Sequence, residues 1–233
     1  MSVTVRPGSE ARQVGRVRAR QVGLLIVPLV RAVPWLPMVA AAGLALAGNL
    51  PAWLGGSAPA AQVWGLRFAA LLLGAGASFA MVDAMAPLTV TATPRWVRQW
   101  LRFTLTAGPA AVVWGVLCLL AVGTMPAGAP GLPVGDLVGE ALACFLCGPA
   151  AAAVAARAGH TTTAALTGPA AQGLLVVGTL FLRGDRSPWP LPGQPSWPDV
   201  HIGWWAAVPA LALVLSAANR EVWPVFRRSM PSS

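Results

Sequence analysis

Two long stretches of this chain carry no charge: none falls between Arg31 and Arg67, and none between Arg102 and Asp136. Soluble domains carry about 25% charged residues, whereas here the charged share is 10% and the hydrophobic share 56%. A helix of about 20 apolar residues covers the roughly 30 Å hydrocarbon core of a bilayer. Within lipid only helices and closed barrels satisfy every backbone polar group. Apolar segments of helical length lie near 32–52, 62–82, 103–123, 137–157, 163–182 and 201–219. The sequence therefore predicts an all-α membrane protein with six transmembrane helices. It divides into a basic tail (1–31), a helical domain (32–219) and a short second tail (220–233), with no soluble domain.

The arginines give the predicted topology a direction. The chain has no lysine, and thirteen of its sixteen arginines sit in four places. These are the N-terminal tail (Arg6, Arg12, Arg16, Arg18, Arg20, Arg31), the loop after the second segment (Arg95, Arg98, Arg102), the end of the fourth (Arg157) and the C-terminal tail (Arg220, Arg227, Arg228). Six crossings put all four on one side, and the positive-inside rule makes that side cytoplasmic. Both termini are then expected in the cytoplasm of a multi-pass cell-membrane protein. Tryptophan follows the same partition. Trp35, Trp96, Trp100 and Trp223 fall at the expected inner interface, and Trp53, Trp64, Trp189, Trp197, Trp204 and Trp205 at the outer one. Indole favours the headgroup level; only Trp114 is expected in mid-span.

The formal charge of +9 points to anionic lipid headgroups rather than nucleic acid, because the arginines lie beside apolar spans. Residues 10–30 run from arginine-rich sequence into Val22–Val27, an apolar stretch too short to cross and stopped by Pro28 and Arg31. An interfacial helix is expected there. The first apolar segment is read as retained, since its basic leader is long for a signal peptide. Between Arg183 and Val200, five prolines disfavour regular structure, so an extracellular Pro/Trp cap is expected.

Several chemistries are absent. A phosphate-binding P-loop needs a lysine, and the chain has none. No Ser/His/Asp constellation is legible, so no catalytic residues, metal site or resident cofactor are expected. His160 and His201 fall on opposite sides of the predicted topology. Cys144 and Cys147 form one Cys-x-x-Cys within an apolar segment, without the remaining ligands of a closed zinc site. With Cys118 they read as packing residues. The ionisable groups left near the hydrocarbon are Glu140 and Arg67 toward the outer ends of their segments, and Asp83 at an inner end. Such groups are functional candidates, although near a span end they also serve as interface markers, and Arg67 is placed to snorkel.

The stretch 71–102 adds a local pattern. A Gly/Ala-rich span containing Phe79 ends in Asp83, followed by Pro87, Thr89, Thr91, Thr93, Pro94 and then Arg95, Trp96, Arg98, Gln99 and Arg102. Pro94 suits a helix start. Arg95, Arg98 and Arg102 would share one helical face and Trp96 and Trp100 another. Together with the topology, this stretch resembles the permease subunits of ABC-2 type transporters, in particular small actinobacterial ones. Members often carry two adjacent acids where this chain has only Asp83.

The resemblance implies a permease subunit of an ATP-driven exporter, acting as a dimer with a second copy or a paralogue. A separate cytoplasmic ABC ATPase would hold the ATP and Mg and dock on Asp83, Pro87, Thr93, Pro94, Arg95, Trp96, Arg98, Gln99 and Arg102. The loop after Arg183 would be the outer gate. A different class, a non-transporting scaffold, accessory or immunity subunit, fits the same composition.

Overall fold

The computed structural model describes residues 30–54, 58–82, 94–125, 128, 131–159, 163–182 and 184–220. Among these the regular elements are all helical: α1 (Trp35–Leu54), α2 (Pro59–Ser78), α3 (Arg95–Gly123), α4 (Val134–Arg157), α5 (Ala164–Thr179) and α6 (Trp197–Asn219). Single 3-10 turns lie at Phe79–Met81 and Gly184–Arg186. Five helices, α2 counted together with the turn that extends it, are long and apolar enough to cross a membrane. These are the helices of a multi-pass membrane protein. The fifth in order, α5, has 16 residues and rises only about 24 Å. The expected interfacial helix before residue 30, the segment 83–93 with Asp83, Pro87 and Thr93, His160, and the tail beyond Arg220 lie outside the described residues.

Two expected boundaries move. Residues 95–102 are helical directly after Pro94, as expected, but they are not a separate short helix: they are the first turns of α3, a single helix of 29 residues. The Pro/Trp segment ends at Ser196, because α6 starts at Trp197. Proline marks several helix starts, where its missing N–H has no intrahelical partner to lose. Pro59 opens α2, Pro198 is the second residue of α6, and Pro94 and Pro133 directly precede α3 and α4. Proline also sits inside five helices, at Pro51, Pro109, Pro149, Pro169 and Pro209. Membrane helices tolerate such breaks where neighbours re-satisfy the freed carbonyl.

Consecutive helices run antiparallel. Near one end, Asn49 Nδ2 of α1 donates to Gly65 O of α2 (3.2 Å), and Gln62 Nε2 of α2 to Thr124 Oγ1 just after α3 (3.2 Å). At the other, Arg102 of α3 meets the end of α2, and Arg157 of α4 meets the end of α6. The two ends are named below after Arg67 and Arg102. Helices α2 and α4 form the centre; α1 packs on α2, α6 on α4, and α5 on both α4 and α2. Helix α3 lies against α2 and makes less contact with the rest.

The centre is built from small residues, which let backbones approach where lipid offers no hydrophobic drive. A Cβ on Gly148 would come 2.6 Å from Gly74 O, and one on Gly168 would overlap Ser78 Oγ. The tetrapeptide Gly-Pro-Ala-Ala occurs at 108–111, 148–151 and 168–171, but Gly108 of α3 has open space beside it. The same local sequence thus brings its glycine into close packing in α4 and α5 but leaves it in open space in α3, where Ala110 alone of the four is buried.

Candidate functional site

The most concentrated chemistry lies at the Arg67 end, where three helices and the Pro/Trp segment converge. Arg67 is in the third turn of α2, Glu140 two turns into α4, and His201 one turn into α6. All three are essentially buried, at 2%, 1% and 2% exposure. Arg67 Nε approaches Glu140 Oε1 at 2.6 Å, and Arg67 Nη2 donates to Glu140 Oε2 at 3.1 Å. The Nε–Oε1 approach is an ion pair without the alignment of a hydrogen bond. His201 Nε2 faces Glu140 Oε2 at 3.3 Å.

The guanidinium also reaches the Pro/Trp segment. Arg67 Nη2 donates to Pro190 O (2.7 Å) and Nη1 to Trp189 O (3.4 Å). Its charge sits 5.0 Å from the Trp64 ring centroid and 5.6 Å from that of Trp189, within cation–π range. Further donors hold the same segment. Trp204 Nε1 donates to Pro188 O (3.0 Å), Trp189 Nε1 to Thr179 Oγ1 (2.7 Å), and Trp197 Nε1 to Asp136 Oδ2 (2.7 Å). His201 accompanies Trp197 twice: Nδ1 lies 2.8 Å from Trp197 O, and the rings stack at 3.9 Å. The Pro/Trp segment is therefore a strap over this end, tied by side chains of α2, α5 and α6, and Trp197, where the strap enters α6, is tied to α4.

An arginine expected to snorkel is instead enclosed, because a carboxylate from α4 and two strap carbonyls replace its water. A charge in low dielectric persists only when paired and hydrogen-bonded. Trp189, Trp197 and Trp204 are likewise buried, while Trp205 remains exposed as an interface residue would. The sequence placed Arg67, Glu140 and His201 at the same predicted end but gave no sign that they touch. That shared level was the available signal.

At the other end, the arginines of the expected docking face turn inward. Arg102, 1% exposed, donates from Nε to Ala80 O and from Nη2 to Val82 O, both at 2.7 Å. It caps the carbonyls left open where α2 terminates, the position that favours a cation. Arg98 and Gln99 are also buried. Arg95 is half-buried, Trp96 is exposed, and Pro94 sits just before the helix. Of the described docking candidates, Pro94, Arg95 and Trp96 reach the surface.

Between the two ends, α3 stands off from α4 and leaves a groove of about 580 Å³. Phe103, Ala107, Ala111 and Trp114 of α3 face Ala141 and Phe145 of α4 across it. The lining is apolar, and the one indole N–H points away, donating from Trp114 to Leu66 O (3.1 Å). Trp114 and Ala141 also wall the closed space around Arg67 and Glu140, so the groove and the charged cluster are neighbours. Among the described residues no group of three or more His, Cys, Asp or Glu comes together in a way that could hold a metal ion.

The chain matches no protein-family profile, no curated protein and no solved structure.

Proposed function

We propose that the chain is the transmembrane permease subunit of an ATP-driven, ABC-type exporter, working with a separate cytoplasmic ATPase. The observation that carries this reading is the continuity of α3. A helix of 29 residues is about 43 Å long, more than the hydrocarbon needs. One length of it combines the surface residues Arg95 and Trp96 with the wall of the apolar groove, from Phe103 to Trp114. It packs less tightly than the central helices. A force applied at its first turn therefore reaches the groove without a flexible joint, apart from the break at Pro109.

In this reading α5 completes six crossings, both termini are cytoplasmic, and the Arg102 end faces the ATPase in the cell membrane. Closure of the ATPase on ATP pushes residues 83–96, α3 tilts, and the groove changes width while the strap controls the opposite exit. Two permease copies, or this chain and a paralogue, enclose the pathway. Because Arg98 and Arg102 are buried, docking falls on Arg95, Trp96 and the preceding segment.

The test is co-purification with the products of neighbouring genes, followed by pull-down of Arg95→Glu and Trp96→Ala variants. An ATPase should co-elute stoichiometrically, hydrolyse ATP in a manner dependent on this subunit, and be lost from correctly inserted variants. The tightly tied Arg67 end favours a second reading, a non-transporting scaffold or accessory subunit. A stable membrane protein that recruits no ATPase would establish that reading instead and would end the docking assignment.

A further inference from the structure

We infer that Glu140 and His201 together bind one proton, and that this proton holds the strap closed on the Arg67 end. The argument starts from the two ring nitrogens. His201 Nδ1 lies 2.8 Å from Trp197 O, and a carbonyl only accepts, so Nδ1 carries a hydrogen. The other nitrogen, Nε2, faces Glu140 Oε2 at 3.3 Å in a buried setting with no other partner among the described residues. With no proton between them, two lone pairs oppose each other in low dielectric, where water offers no relief. A proton on Nε2, or shared with Oε2, turns that opposition into attraction.

The surrounding charges agree. Among the described residues, the groups around the pair are Arg67 from α2, Asp136 and Cys144 from α4, and the exposed Asp199 on α6 itself. The strap contributes carbonyls and indoles, and α3 contributes Trp114. Arg67 and Glu140 cancel. An imidazolium then balances Asp136, which the Trp197 indole connects to the same cluster. With that proton the four buried or half-buried groups sum to zero.

Strap closure follows from the connections of His201. Its ring stacks on Trp197 and holds that residue's carbonyl, and Trp197 is the junction between strap and α6. When the proton leaves to solvent, His201 becomes neutral with Nδ1–H retained, and the bare Nε2 is repelled from Glu140. The ring then withdraws and takes Trp197 with it, loosening the strap's anchored end. The strap is closed at lower pH and released as pH rises. Neither step needs the ATPase, so this proposal and the exporter reading fail separately.

The chain has only two histidines, which makes the proton directly observable. Histidine labelled with ¹⁵N, in the full chain in lipid nanodiscs, should show both His201 nitrogens protonated at neutral pH. Assignment comes from the spectrum of a His160→Gln variant. In parallel, hydrogen exchange of residues 187–200, corrected for intrinsic rates, should accelerate about tenfold or more as pH rises, the scale of one lost charged hydrogen bond. Glu140→Gln should strip the proton from Nε2 and open the strap at neutral pH. His201→Gln should make strap exchange independent of pH. A wild-type His201 with a bare Nε2 at neutral pH, or strap exchange that ignores pH in the wild type, overturns the proposal even where a variant fails to fold.

Discussion

The two ends of the bundle bury arginine by opposite means. At the Arg67 end the guanidinium meets a carboxylate from another helix, Glu140, and the pair is enclosed by indoles and strap carbonyls. At the Arg102 end the guanidinium takes the open carbonyls at the end of α2. Arg157 does the same for α6, donating to Ala217 O at 2.5 Å and Arg220 O at 3.2 Å. The first arrangement joins four elements and depends on matched charges. The second uses one helix to finish another through the carbonyls of a helix terminus. Removing a partner should therefore be far more costly at the first end than at the second.

Glu140→Leu tests the extreme. It leaves Arg67 buried and unpaired, so stability in mild detergent should fall by about 3–5 kcal/mol. The double variant Arg67→Leu/Glu140→Leu should recover most of that loss, since an apolar pair can replace a buried ion pair nearly neutrally. A double variant as unstable as the single one would break the account of that end.

Arg102→Met removes two carbonyl contacts made by a charge and should cost about 1.5–3 kcal/mol. Arg102→Lys should rescue only part, because an ammonium cannot reproduce the fork geometry. Full rescue by lysine would mean that charge alone matters there. Trp197→Phe keeps an aromatic ring but loses the bond to the half-buried Asp136 carboxylate, for a loss of about 1.5 kcal/mol, the low end for a bond to a charged group. Its strap exchange should rise while the Arg102 end stays unchanged. Arg157 is exposed, and Arg157→Ala should move stability by less than about 1 kcal/mol, the smallest effect of the set. Chemical denaturation in detergent micelles, with circular dichroism as the readout, ranks all of them.

Much of the helical framework was legible. Each apolar segment overlaps one helix, five of them long and apolar enough to cross a membrane, because in lipid a backbone without water must satisfy itself locally. The continuity of α3 was obscured by Arg95, Arg98 and Arg102, which read as one face of a short helix separate from the span that follows. The side chains of Arg98 and Arg102 instead turn into the bundle, with Arg102 satisfied by carbonyls of α2 that no local pattern reveals. The candidate cluster was hidden more deeply. Glu140 lies 73 residues from Arg67 and 61 from His201 (201 minus 140), and each alone fits an interface marker.

By itself, the sequence determined that the described chain is helical, where its apolar segments lie, and which residues share a level of the bundle. Those follow from hydropathy and period, which are local. Tertiary structure alone decided which small-residue stripe packs and which faces outward: Gly168 abuts Ser78, while Gly108, in the same tetrapeptide, meets nothing. It also decided that Arg67, Glu140 and His201 meet rather than point separately outward. Pairing of buried charges depends on the rotation and separation of whole helices. No spacing along one segment encodes those quantities.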